Sequence, residues 1–123
     1  MIVGEVNEQW EPVIPLDVRG PTGRWRRINA IVDTGYTGTL TLPLELIEQL
    51  ELKWDRIGGG KLADGRTIGF DVYEATIQWS GRSRSTWIAG CGGDALVGME
   101  LLRGLELNVQ IRLGGSVTIA ELE

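Results

Sequence analysis

Apolar and polar positions alternate along most of the chain, with the period of two that belongs to half-buried strands. Ile14, Leu16 and Val18 interleave with Pro15, Asp17 and Arg19. A turn at "GPTG" (20–23) follows, and Ile28, Ala30 and Val32 then alternate in a second strand that delivers Asp33 at its end. Leu40 and Leu42 alternate with Thr39 and Thr41 in a third strand. Pro43 opens a short helix, where its missing N–H costs nothing, with Leu46, Ile47 and Leu50 as the apolar face and Glu45, Glu48 and Glu51 as the wet one. Next comes a long hairpin turning at Asp64-Gly65, read as a two-residue turn, with a returning strand from Arg66 to about Trp79. Ile68, Phe70 and Val72 share one parity and Tyr73, Ala75, Ile77 and Trp79 the other, which predicts a bulge or sharp bend near 72–73. "SGRS" (80–83) turns the chain into a strand ending near Ala89, and "CGGD" (91–94) is a loop.

"ALVGMELLRG" (95–104) reads as a short apolar segment leading into a helix that stops at Gly104. Asp94 is expected as the N-cap of that helix. Leu107, Val109, Ile111 and Leu113 predict one more strand, and Gly114-Gly115 turns it into a last strand holding Val117 and Ile119. The expectation is an all-β chain with one or two short helices. Its 18 glycines among 123 residues suit a fold full of tight turns. That length supports one domain, spanning 1–123.

Composition narrows the chemistry. The chain is 42% hydrophobic and 24% charged, ordinary for a globular domain, and no apolar run has the length of a membrane span. A net charge of −5 argues against nucleic acid as a partner, and "RWRR" (24–27), the only basic cluster, reads as a solvated strand end. The start "MIVGEVNEQW" lacks the basic residues and apolar stretch of a secretory signal. Cys91 is the single cysteine, so no internal disulfide is available, and the expected location is the cytoplasm. There is no histidine, which excludes Ser-His-Asp and Cys-His nucleophilic sites and histidine-ligated zinc. Six scattered aspartates lack the spacing of a calcium loop. "GGGKLADG" (58–65) has the glycines of a phosphate loop but no helix pattern after it. No metal and no cofactor is expected, and any catalysis must run on carboxylates. The five tryptophans are expected as core or interface anchors.

"AIVDTGYTG" (30–38) concentrates the interest. A carboxylate at the end of a buried strand is costly unless it is used or paired. Asp33-Thr34-Gly35 taken alone reads well as a turn closed by an aspartate side chain. It stands, however, about sixty residues before "ALVG" (95–98), with a long hairpin between them. That arrangement resembles the retropepsin family of dimeric aspartic proteases, over roughly residues 10–113. "LVGMELL" is closer to the retropepsin-like domain of eukaryotic DNA-damage-inducible shuttle proteins and to bacterial single-domain relatives.

The resemblance implies a retropepsin-like half-barrel that forms a two-fold homodimer, with interleaved terminal strands from Ile2-Val3 and from Leu107 to Ile119. It implies that Asp33 is the catalytic aspartate. Thr34 would lock the two loops across the dimer, and Gly35 would admit the substrate backbone. Leu96, Val97 and Gly98 would pack behind the catalytic loop. Ala63, Asp64 and Gly65 would form the tip of a flap over a peptide or protein substrate. Amide hydrolysis by carboxylates needs a base and an acid, and two close carboxyls sharing one proton supply both, as in the aspartic proteases. One chain has one such motif, so the second Asp33 would come from a second copy. Two positions depart from the retroviral pattern: Tyr36 replaces a small residue, and Met99-Glu100 stands where an arginine braces the dimer. The alternative is a homodimeric interaction module that keeps the fold without turnover.

Overall fold

In the computed structural model, which describes all of residues 1–123, ten strands and two short helices follow one another. They are β1 (Ile2–Val6), β2 (Pro12–Arg19), β3 (Arg26–Val32), β4 (Leu40–Pro43), α1 (Leu44–Gln49), β5 (Lys53–Lys61), β6 (Thr67–Trp79), β7 (Arg82–Cys91), β8 (Leu96–Val97), α2 (Met99–Leu102), β9 (Leu105–Val109) and β10 (Ser116–Glu121). The strands form one sheet in the order β5-β6-β7-β4-β8-β3-β2-β1-β10-β9. A further antiparallel pairing, Val18 with Ile77 and Arg19 with Thr76, joins β2 to β6 and closes the middle of that sheet into a barrel. The expected all-β class is therefore the observed one.

The alternation read from the sequence fills the barrel. Ile14, Leu16 and Val18 of β2, Ala30 and Val32 of β3, and Ala75, Ile77 and Trp79 of β6 all point into one core cluster. Ile47 and Leu50 of α1 and Leu101 and Leu102 of α2 plug it from the side, with Leu46 half-buried beside them. Burying such side chains stabilises the fold by about 1.5–3 kcal/mol each. Leu40, Thr41 and Leu42 are all buried because β4 runs between β7, parallel to it, and β8, antiparallel to it.

Several expectations change. The hairpin between β5 and β6 turns through three residues, not two. The N–H of Gly65 donates to the Leu62 carbonyl and that of Leu62 to the Arg66 carbonyl, with Gly65 alone at positive φ (+88°). This is a type I turn followed by a left-handed glycine, a standard three-residue hairpin. The irregularity sensed near 72–73 lies on the opposite strand: the register slips between Trp54 and Arg56, which face Tyr73 and Val72. β6 itself pairs without a break with β7 from Val72 to Trp79. Its parity switch marks where the strand leaves the barrel and begins the free hairpin.

Asp94 caps no helix; Gly98 occupies that position before α2, and no side chain caps it. Ile111 and Leu113 are exposed turn residues, since β9 ends at Val109. Only Trp79 of the five tryptophans is buried; Trp10, Trp25, Trp54 and Trp87 are exposed. The terminal strands, for which the resemblance implies interleaving between two copies, are paired with each other within the chain. β10 lies between β1 and β9, with Val117 and Ile119 fully buried.

β8 is only two residues long, yet its position depends on one hydroxyl. Thr41 Oγ1 accepts the Leu96 N–H at 2.9 Å and donates to the Asp94 carbonyl at 3.2 Å. Thr41→Val keeps the shape and orphans both groups. The expected loss is about 1–3 kcal/mol in denaturant unfolding. An unchanged midpoint would mean that the backbone pairing of β8 with β3 and β4 holds it without the hydroxyl.

Candidate active site

β3 runs out of the barrel at Val32 and hands Asp33 to a loop that returns through Tyr36 and Gly38 to β4. The loop is clamped from behind by residues 95–100. β8 lies between β3 and β4, pairing Ile31 with Leu96 and Val32 with Val97 on one side, and Leu40 with Val97 on the other. The N–H of Asp33 donates to the Val97 carbonyl, and that of Gly98 to the Thr39 carbonyl, both at 2.9 Å. Met99 N–H reaches the Tyr36 carbonyl at 2.8 Å, and Glu100 N–H the Gly38 carbonyl at 3.1 Å. Leu96, Val97 and Gly98 thus sit directly against the loop that carries Asp33, Thr34 and Gly35.

The approach at Gly98 is too close for any side chain. A Cβ there would stand 2.2 Å from the Gly38 carbonyl oxygen and 2.6 Å from the Tyr36 ring. A Cβ at Gly38 would meet the same ring at 2.3–2.8 Å. Tyr36 therefore folds back onto two glycines. That packing gives a bulky residue its place where the family resemblance implied a small one.

Asp33 is half-buried. Its Oδ1 accepts the Gly35 N–H at 2.9 Å, so the turn closed by an aspartate side chain is present. None of the four ion pairs of the chain involves Asp33. Thr34 is exposed and lines a shallow hollow with Met99, Leu102, Leu105 and Leu107. No group of three or more histidine, cysteine or acidic residues is placed to hold a metal ion.

The β5–β6 hairpin meets the loop along its shaft, not at its tip. Tyr36, Gly38 and Thr39 line one side of a cavity of about 340 Å³; Gly58, Phe70 and Val72 line the other. Ala63, Asp64 and Gly65 are exposed and do not reach it. Phe70 explains the glycines opposite: a Cβ on Gly58 would lie 2.7 Å from its ring, and one on Gly60 would lie at 3.2 Å. An aromatic side chain covering a cross-strand glycine is a recognised means of fixing register. Arg56 and Trp87 complete the lining, the guanidinium 4.9 Å from the ring centroid. The parity of Phe70 and Val72 was visible in the sequence. Arg56 and Trp87 carried no such signal, because only strand pairing brings them together.

Burial raises the Tyr36 phenol above its ordinary value of 10.0, with a smaller contribution from Cys91. The native chain then holds that proton more tightly than the unfolded one. The corresponding stability is complete below the unfolded phenol pKa and declines as pH rises through it. Ultraviolet titration of the two tyrosines should resolve a late-ionising phenol that disappears in Tyr36→Phe. The variant should also lose that alkaline decline. Loss of an ordinary phenol instead would place the ring in solvent.

No family model matches the chain, and no curated protein matches it. Among solved structures it is similar to the EIAV protease complexed with the inhibitor HBY-793. The TM-score is 0.59 at 19% identity, over 79% of this chain and 89% of that one. The likeness is one of fold, and the chain has the retropepsin-like fold.

Proposed function

We propose that the chain is an aspartic endopeptidase that works as a two-fold homodimer, with the Asp33 carboxyls of two copies forming the catalytic dyad. The observation that carries this reading is the setting of Asp33. It leaves the barrel on a loop clamped by four backbone hydrogen bonds from residues 97–100, with no basic side chain paired to it. The Gly35 N–H fixes Oδ1, which orients the carboxyl without neutralising it. A hairpin stands over the adjoining cavity.

In this reading one Asp33 of the pair takes a proton from water as the water attacks the peptide carbonyl. The other gives its proton to the departing nitrogen. Two carboxyls at one axis cannot both ionise freely, so they share a proton, and the apparent pKa values belong to the pair. Thr34 and the hydrophobic hollow beside it would face the partner. Leu96, Val97 and Gly98 position the loop. The Ala63-Asp64-Gly65 hairpin covers the substrate. No cofactor is needed for this chemistry.

Asp33→Asn preserves shape and removes the base. It should lower kcat by at least about 10²-fold and leave the unfolding midpoint close to the parent's. The parent's rate should fall at both pH extremes, where the pair is doubly protonated or doubly ionised. Undiminished cleavage of an unstructured peptide by the Asn variant would end the assignment, and a folded parent that cleaves nothing would leave the interaction-module reading.

Gly65→Val tests the hairpin. At φ +88° a β-branched residue is strained by about 1–3 kcal/mol, and the strain falls at an exposed tip remote from the core. kcat/KM should drop by much more than the loss of global stability accounts for. Proportional losses, or none, would mean that the hairpin does not cover the substrate.

A further inference from the structure

A second concavity lies apart from that cavity. A groove of about 740 Å³ lies on the outer side of β2 and β3, between the β1–β2 turn and the segment 94–95. An outward sheet face is ordinarily polar, but here Val13, Pro15 and Ile31 stand on it beside Asn29, with Leu46 and Ala95 at one wall. Val13, Pro15 and Ile31 are half-buried there, and Asn29 is exposed. Exposed apolar floors of this kind mark places where something binds.

The rim is charged with one sign. Glu5, Glu11 and Asp94 come from three separate segments and line the groove, while no lysine or arginine does. Glu11 is held in place: its N–H donates to Asn7 Oδ1 at 2.9 Å, and the Asn7 amide donates to its carboxylate at 3.1 Å. None of the three acids belongs to an ion pair. The groove shares two walls with the Asp33 loop. Ile31 stands two residues before Asp33, and its N–H donates to the carbonyl of Ala95. Residues 94–95 lead straight into β8, which clamps the loop.

We propose that this groove binds a segment of the substrate in which a basic side chain neighbours an apolar one, and so selects cationic peptides. The apolar side chain meets the floor, and the ammonium or guanidinium group meets the rim carboxylates. Complementary charge of this kind decides partner choice more than raw affinity. The proposal rests on the peptidase reading for its role in selection, but the binding itself does not require turnover.

Binding is measured with the Asp33→Asn chain and three labelled peptides that differ at one position next to a leucine: Lys, Gln or Glu. The Lys peptide should bind at least about tenfold more tightly than the Glu peptide at low salt, and the ratio should shrink as salt screens the rim. Adding Glu5→Gln and Asp94→Asn should bring the ratio below about threefold, since most of the unpaired rim charge is gone. Glu5→Gln alone, at an exposed position, gives an intermediate ratio should the double change disturb folding. Equal binding of the three peptides, no binding of any, or an unchanged ratio in the neutralised chains would overturn the proposal. In the parent, the same preference should appear in KM more than in kcat. Cleavage without charge preference would defeat the groove and leave the peptidase. Charge-selective binding without cleavage would defeat the peptidase and leave the groove.

Discussion

The two-residue strand β8 is the constraint on which the site depends. It enters between β3 and β4, two strands that a direct turn would have paired with each other. Its backbone takes the hydrogen bonds that they would otherwise exchange. The loop between them is thereby forced apart, and Asp33 is lifted to the end of a strand whose inward residues Ala30 and Val32 are core. The cost is steric: a Cβ on residue 98 would stand 2.2 Å from the Gly38 carbonyl oxygen. Only glycine fits there. Once that crossing is made, Val97, Gly98, Met99 and Glu100 fix the loop through main-chain groups that no side-chain change short of proline removes.

The hairpin obeys a different physics. From Tyr73 to Trp79, β6 presents its odd positions to the barrel and pairs throughout with β7, with β5 on its other side at Tyr73 and Glu74 and β2 at Thr76 and Ile77. Beyond Val72 only β5 accompanies it, and the apolar parity reverses toward the cavity. A two-stranded ribbon has little core of its own and is only marginally stable in isolation. Phe70 laid over Gly58 and Gly60 supplies the packing that the ribbon has. The glycines that suggested backbone freedom therefore serve the ring first, and only Gly65 at the turn needs a left-handed backbone.

Much of this was legible because it is local. Period-two runs identified β2, β3 and the core half of β6, and Pro43 located the start of α1. What was not legible depends on partners distant in sequence. Ile111 and Leu113 continue the alternation of β9, yet no neighbouring strand is there to receive them. Asp94 has the composition of a cap, but β8 intervenes before the helix. The bulge was sensed on the wrong strand, since a parity switch records only that two strands stop sharing a face. The terminal strands looked like open edges because their cis partners, Ile2 and Ile119, lie at opposite ends of the chain. At the site, Asp33, Thr34, Gly35 and the 96–98 segment were recognisable as a pattern. Arg56, Trp87 and the acidic groove were not, because three or four elements contribute to each.

The chemistry of a lone Asp33 sets the last link. A single carboxylate can serve as base or as acid in one step, but amide hydrolysis asks for both within one encounter. The Gly35 N–H donates to Oδ1 and so orients the carboxyl. No acidic side chain, Asp33 included, lines the cavity between the loop and the hairpin. Asp94, just before the clamping segment, lines the groove on the outer side of β2 and β3. Within one chain the constellation is half of a reaction. On the proposed reading, the exposed Thr34, the apolar hollow beside it and the unpaired Asp33 are the parts that a second copy completes. The paired terminal strands then shift the burden of assembly. β9, with one side unbonded, and the Met99–Leu107 surface would have to carry contacts that interleaved termini would otherwise provide.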